Sequence, residues 1–342
     1  MIVAPSGGEP VFEGIRVRTV PNLRVWFIYG GKPWGLPVPR VSRYFEEFKP
    51  DIVHAVNPFM LGVAGVVSAW RQKVPLVASY HTHIADYADF YHLGFAKPAI
   101  WAVLRALHNR ATINLATSAA VRDDLMGHGI RNVRVWRRGV DLELFHPKHR
   151  SHAMREKMTQ GHPERKIALY VGRIALEKGL HRLRNIFAEN PDLQLVLVGD
   201  GPARHEFEQL FAGTPTTFMG ALHGSDLASA YASSDIFVFP STTETLGLVV
   251  LEAWASGVPV ISAESGPTHE LIDGSGAGAL FPPDHPETLG AMIRQWLEAC
   301  NDRTSGVQAR ARREAEKWGW KIPTEELERV YQETLRTFRD QR

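Results

Sequence analysis

Short apolar, β-branched runs alternate with helix-length stretches, and this alternation is met twice along the chain. In the first half, residues 51–56, 76–80 and 111–116 read as buried strands, with helical segments such as 98–109 between them. The pattern restarts after Phe145-His146-Pro147, where residues 167–172, 193–199, 236–240 and 259–262 read as strands. Strand, helix, strand at this spacing implies a parallel sheet covered on both faces. The expected fold class is therefore α/β, with two Rossmann-like domains facing a cleft. A chain of 342 residues has room for two such cores. The expected division is an N-terminal domain over 1–145, a C-terminal domain over 146–322 and a C-terminal helix over 323–342.

The opening departs from this grammar. A doubly wound domain normally starts with a central strand, a glycine-rich turn and a helix. Here Ile2-Val3-Ala4 runs straight into Pro5-Ser6-Gly7-Gly8, and residues 15–20 follow as the next strand with no helix between. The first domain thus reads as lacking its opening strand and helix, a truncated start that would leave unpaired backbone edges and uncovered core.

Composition excludes several classes. No apolar run reaches the roughly 18 residues of a membrane span. The first five residues lack the basic and long apolar regions of a signal peptide. The one cysteine, Cys300, rules out an internal disulfide and a cysteine-based metal site. A cytoplasmic protein is expected. Residues 1–145 carry 17 Lys/Arg against 11 Asp/Glu, a balance of +6, whereas the remainder carries 22 against 26, a balance of −4. A basic first half suits an anionic membrane face, although ordinary surface variation accounts for it equally well. No nucleic-acid partner is expected.

Three constellations carry chemistry. The strongest places two carboxylates eight apart, Glu244 and Glu252, across the turn Thr245-Leu246-Gly247-Leu248. A helix is expected to begin near Thr245, and its free N–H groups and partial positive charge suit a diphosphate. Glu244 can accept from sugar hydroxyls and Glu252 from ribose hydroxyls. An early glutamate that merely favours the helix dipole explains Glu244, but not an acid inside Leu248-Val249-Val250-Leu251-Glu252-Ala253. In the second, a strand ends at Gly172, and Arg173 and Lys178 follow five residues apart. Fixed cations there stabilise a departing diphosphate, Arg173 as a fork and Lys178 as a point charge. A solvated pair is the alternative for this motif alone. The third is Ser79-Tyr80-His81-Thr82-His83 at a strand's C-terminal end, where ligands of open α/β sheets bind. His81 can contact a donor sugar or take the acceptor's proton. A structural histidine is its main rival, and a metal held by His81 and His83 a lesser one. No Asp-x-Asp occurs, so protein cations rather than a metal are expected on the diphosphate. Weaker signals are the Gly199-Asp200-Gly201 turn, Met219 near a nucleotide base, loop glycines Gly266 and Gly274, and Gly139 as a point of close backbone approach.

With these motifs in hand, the chain resembles the large retaining GT-B glycosyltransferase family that includes sucrose synthases, bacterial mannosyltransferases and lipid glycosyltransferases. More narrowly it resembles the sulfolipid synthases, through residues 79–83, 136–141, 145–147, 150–155 and 241–247. The resemblance implies transfer of sulfoquinovose from UDP-sulfoquinovose to diacylglycerol at a membrane surface, without a cofactor. It implies that Arg173 and Lys178 hold the diphosphate, with Gly172 beside them. Glu244 would hold the sugar with backbone N–H groups of Thr245, Leu246, Gly247 and Leu248. Glu252 would hold the ribose, and His81 would stand beside the reacting centre. Retention would follow from front-face attack, the leaving phosphate taking the acceptor's proton. Trp26, Phe27, Ile28, Trp34 and Leu36 are candidate membrane wedges, or core. Residues 264–270 depart from the family's paired-glycine segment.

Rival functions remain at this stage. A GDP-mannose- or UDP-hexose-dependent transferase differs only in a few sugar-reading side chains. An inactive nucleotide-sugar-binding partner subunit is motivated by the incomplete first domain. A nucleotide-sugar epimerase on a similar fold fits the motif details least.

Overall fold

The computed structural model describes residues 1–24, 33–82, 94–302 and 304–340. Two compact units emerge: Met1–Arg137 together with Thr324–Arg342, and Arg138–Pro323. In this division residues 138–145 group with the second unit. The last helix, Lys321–Asp340, is not a separate element; from Thr324 on it belongs with the first unit.

In the first unit, β1 (Ile2–Pro5), β2 (Val11–Phe12) and β3 (Ile15–Val20) form a small sheet in the order β1-β3-β2, and β4 (Asn22–Arg24) pairs with β5 (Pro33–Gly35). The main sheet is β6 (Val53–Val56), β7 (Leu76–Tyr80), β8 (Ile113–Ala116) and β9 (Val133–Val135), all parallel in sequence order. Strands β7 and β8 are buried along their whole length, as continuous apolar runs require when helices cover both faces. One of the covering elements is the last helix. Leu327, Val330 and Tyr331 pack against Val77, Ile113, Leu115 and Trp136, and Glu333 takes a forked pair of hydrogen bonds from Arg134 at 2.5 and 2.6 Å.

Strands β1 and β6 each pair on one side only among the described residues. Both run along their full length beside one cavity of about 740 Å³. The parallel register assigns Val53 and Ala55 to Leu76 and Ala78, and Asn57 donates to Ser79 O at 2.8 Å, so the odd-numbered residues serve the β7 ladder. Val56 lies between them and directs its N–H and C=O to the opposite edge, where the cavity lies.

The second unit is one sheet of six parallel strands. These are β10 (Lys166–Val171), β11 (Leu193–Val198), β12 (Thr216–Gly220), β13 (Ile236–Phe239), β14 (Val260–Ala263) and β15 (Gly278–Phe281). Their order is β12-β11-β10-β13-β14-β15. That is the doubly wound order 3-2-1-4-5-6, whose direction of winding reverses between its first and fourth strands, here β10 and β13. A single core runs through the unit, built from Leu169, Val196, Phe237, Val250, Trp254 and Ile261 among others. Arg155 clamps its margin: it is buried, pairs with Asp235 at 2.9 Å and donates to the carbonyls of Ser233, Pro163 and Arg165. The departing segment 264–270 is a helix start. Ser265 and Thr268 form a reciprocal capping box, with Pro267 in the first turn of the helix Gly266–Ile272. Gly139 does permit close approach, but to Trp320: a Cβ there would meet Trp320 Cα at 2.7 Å, where Val140 N–H donates to Trp318 O at 2.8 Å.

Candidate active site

The expected diphosphate and sugar residues lie in the second unit, on the loops that leave β10 and β13. These are the two strands at the switch point, where neighbouring connections part to opposite faces and leave a crevice. Gly172 closes β10 with φ 157°, and a Cβ on it would meet Tyr170 Oη at 2.7 Å. That hydroxyl donates to Arg173 O at 2.9 Å and so fixes the turn. On the next strand Gly199 meets Gly172 backbone to backbone, since a Cβ on Gly199 would stand 1.9 Å from Gly172 O. Both glycines are therefore required by space. Arg173 then pairs with Glu177, whose side chain is only 2% exposed. Glu177 and Lys178 lie in the 3-10 turn Leu176–Lys178, stopped by Gly179 in the left-handed region at φ 68°.

Lys178 reaches across to the loop after β13 and pairs with Glu244. Ser241 donates to the same carboxylate oxygen at 2.9 Å, and Thr243 donates to Glu177 O at 3.4 Å. Lys178 and Glu244 are 12% and 19% exposed, so the pair is shielded from bulk water yet reachable. The structure thus brings Arg173, Lys178 and Glu244 together. It also adds Glu177 and Ser241, which had no assigned role before the structure. A glutamate next to the lysine of a cationic motif was the available signal for Glu177, since burial of Arg173 demands a counter-charge.

The helix after Glu244 starts later than expected. It spans Leu248–Ala255, with Gly247 as N-cap at φ 81°. A left-handed cap breaks the helix at Gly247, so Thr245, Leu246 and Gly247 form the connecting loop. Leu246 is buried in the core and Leu248 is half-buried against it. Glu252 is consequently one turn into the helix, where its carboxylate accepts from Tyr231 Oη at 2.8 Å. Burial raises the pKa of Glu252, partly opposed by that hydrogen bond. Burial and the neighbouring Glu252 carboxylate raise that of Tyr231. Met219 stands apart from this group, on the edge strand β12, two strands away from β10.

His81 lies in the first unit, just beyond the end of β7. Its N–H donates to Asn57 Oδ1 at 2.7 Å and its Nε2 lies 2.8 Å from Ser79 Oγ. Trp34 packs edge-on against Phe59 at 5.5 Å, both half-buried beside the cavity, and Leu36 is half-buried. His83, Trp26, Phe27 and Ile28 lie outside the described residues. Among the described residues, no cluster of three or more His, Cys, Asp or Glu could hold a metal ion, and no helix is long and apolar enough to cross a membrane.

Two family models divide the chain between them. Residues 155–318 match the model for "Glycosyl transferases group 1", and residues 1–144 match that for "Glycosyltransferase Family 4". The chain is 39% identical over 295 residues to the sulfoquinovosyl transferase SQD2 of Arabidopsis thaliana, covering 84% of this chain and 58% of that protein. It is 38% identical to a GDP-mannose-dependent alpha-mannosyltransferase of Mycolicibacterium smegmatis, covering 93% of this chain and 84% of that protein. Among solved structures, Anabaena Alr3699/HepE in complex with UDP-glucose superposes with a TM-score of 0.77 at 22% identity, covering 94% of this chain and 86% of that one.

Proposed function

Because the chain belongs to the group 1 glycosyltransferases, enzymes of the GT-B fold, we propose that it is a retaining, metal-independent sulfoquinovosyltransferase that moves sulfoquinovose from UDP-sulfoquinovose to diacylglycerol. The observation that carries this is the meeting of Arg173, Lys178 and Glu244 on the two loops at the switch point. At rest Lys178 and Glu244 neutralise each other. An arriving diphosphate gives Lys178 a second anionic partner, and Glu244 then accepts from sugar hydroxyls. Arg173, held by the buried Glu177, presents its fork to the phosphates without reorganising. Two fixed cations there take up the charge that develops on the leaving diphosphate, which is the task a divalent ion otherwise performs.

The bond from the anomeric carbon to the β-phosphate oxygen breaks on the face where the acceptor oxygen adds. The acceptor's hydroxyl proton passes to that leaving phosphate oxygen, so configuration is kept and no further base is needed. Glu252 binds the ribose through the carboxylate that Tyr231 orients, and His81 serves the donor sugar. The basic balance of residues 1–145 suits docking at an anionic bilayer face, and Phe95, 84% exposed, is an apolar group available to enter it.

A second reading is favoured by one specific observation: the mannosyltransferase match extends over 84% of that relative's length. In it the same residues act on GDP-mannose. Radiolabelled UDP-sulfoquinovose, UDP-glucose and GDP-mannose, each offered with diacylglycerol in mixed micelles, separate the two. Transfer from UDP-sulfoquinovose is expected, with a loss of at least about 100-fold in Glu244→Ala and in Lys178→Ala. Transfer from GDP-mannose alone would replace the sulfolipid reading. Transfer that survives both substitutions would remove the site.

A further inference from the structure

The two strands at the switch point part before their loops begin. Between β10 and β11 the ladder runs from Lys166–Leu193 to Val171–Val198, but between β10 and β13 it holds only Ala168–Ile236 and Leu169–Phe237. Past Phe237 the ladder therefore does not set how far the loop carrying Lys178 stands from the loop carrying Glu244. Side-chain contacts do so instead: the Lys178–Glu244 pair, the 3.4 Å bond from Thr243 to Glu177 O, and a bond from Arg182. Arg182 is half-buried in the 3-10 turn Leu180–Leu183, directly after Gly179. Its Nη1 donates to Pro240 O at 3.2 Å and its Nε to Pro283 O at 3.0 Å. We propose that Arg182 is a positioning residue for the Lys178–Glu244 pair: its guanidinium ties the loop after β10 to the loops after β13 and β15, and holds them in place while that pair opens to admit the donor. This role rests on the reading of Lys178 and Glu244 as the donor's partners, and not on which sugar is transferred.

The partners of the three cations on this loop show why the task falls to Arg182. Arg173 and Lys178 each meet a carboxylate, Glu177 and Glu244. Arg182 directs its fork to two backbone carbonyls instead. Pro240 lies one residue past the end of β13 and Pro283 two past the end of β15, so neither carbonyl belongs to the sheet ladder. Pro240 is buried and Pro283 half-buried, and a carbonyl in such a place needs a donor from elsewhere. A charged donor makes the stronger bond. Burial lowers the pKa of Arg182, opposed by the Asp284 carboxylate, yet a guanidinium keeps its charge near neutrality. The planar fork fixes Nε and Nη1 relative to each other, so one side chain sets the spacing of two loops; a lysine, a single point charge, does not. Gly179 makes room for this: a Cβ on it would stand 2.6 Å from Pro240 O and would also meet Arg182 Nη1. The contact thus lies between Gly179 and Pro240, which adjoin Lys178 on one side and Ser241, the partner of Glu244, on the other. The cross-links differ in what the donor does to them. When phosphate takes Lys178 and sugar takes Glu244, their mutual pair is given up. The Arg182 bonds involve no group assigned to the donor, so they persist.

The test is calorimetric titration of the full chain with UDP and with GDP, for the wild type, Arg182→Lys, Lys178→Ala and the double variant. UDP is expected to bind the wild type, and Arg182→Lys, which keeps the charge but not the fork, should weaken it about tenfold. In the Lys178→Ala background the same change should weaken binding by less than about twofold, because it acts through Lys178. General damage to the unit would give the same loss in both backgrounds. Arg182→Ala should lose at least as much as Arg182→Lys, and guanidinium chloride well below denaturing concentration should restore most of that loss, where sodium chloride of equal ionic strength does not. Wild-type affinity in Arg182→Lys, equal losses in the two backgrounds, or no restoration by guanidinium would each overturn the proposal. Binding of GDP alone would remove the sulfolipid reading and leave the test of Arg182 to run on GDP. Binding of neither nucleotide would remove both.

Discussion

The two units are built from the same grammar and differ in continuity. In the second, six parallel strands share one hydrogen-bonded sheet and one core. In the first, the described strands fall into three sheets, the core into three clusters, and a cavity of about 740 Å³ separates β1 from β6. A parallel sheet stabilises its members by pairing each strand on both sides while helices cover both faces. Where pairing stops, backbone groups and apolar side chains lose partners together. The chemistry-bearing side chains are placed accordingly. Arg173 and Glu244 leave adjacent, doubly paired strands. His81 follows β7, which pairs with both β6 and β8, so it stands one strand removed from the interrupted edge.

The sharpest way to break the comparison is to loosen the continuous unit. Arg155→Ala strands Asp235 at the sheet margin and empties three carbonyls. Removing one member of a buried pair costs about 3–5 kcal/mol, and Arg150, 3.8 Å from Asp235, draws the expectation to the lower end. Urea unfolding should show this as a large shift of midpoint; a loss below about 1 kcal/mol would make Arg155 an ordinary surface arginine. Next in size is a matched pair of truncations. Leu195→Ala, at a fully buried site in β11, should cost about 2–5 kcal/mol. Leu61→Ala, at a half-buried site lining the cavity, should cost less than half as much, because part of its environment is already empty. Equal costs would mean that the cavity wall is packed as tightly as the continuous core.

Much of this was legible in the sequence, and the misses have physical causes. Residues 76–80 and 15–20 are strands as expected, and 98–109 is a helix displaced by one residue, because β-branched runs and 3.6-residue periodicity are local signals. The late start of the helix at Leu248 was not legible. Gly247 in a left-handed cap looks, as letters, like a glycine inside a helical run. The Lys178–Glu244 pair spans 66 residues and depends on the order of strands, which spacing alone does not give. The return of the last helix to the first unit, and with it the Tyr331–His54 bond, joins residues 277 apart. Helical composition announced that helix without saying which core it would cover.

The last test sets a buried acid in one unit against a buried base in the other. In the first unit, His108 is buried, its Nδ1 donates to Asn114 Oδ1 at 2.7 Å, and among the described residues its Nε2 finds no partner. Burial of an unpartnered nitrogen lowers its pKa to about 4, against an ordinary 6.5. Such a group gives its full stabilisation above 6.5 and loses it as pH falls through that value towards 4. Moving from pH 7 to pH 5 should therefore cost the first unit about 2 kcal/mol. Glu252 in the second unit works in the opposite sense. Burial raises its pKa, so its stabilisation is complete at low pH and is lost as pH rises through the folded value. Acidification thus weakens the first unit through His108 and strengthens the second through Glu252. Hydrogen exchange at β8 and β13, corrected for the intrinsic pH dependence, should show faster opening of β8 and unchanged or slower opening of β13 at pH 5. His108→Gln should abolish the first response and Glu252→Gln the second. If the two strands respond alike, the buried titrating groups do not distinguish the units, and the contrast between them is one of sheet continuity alone.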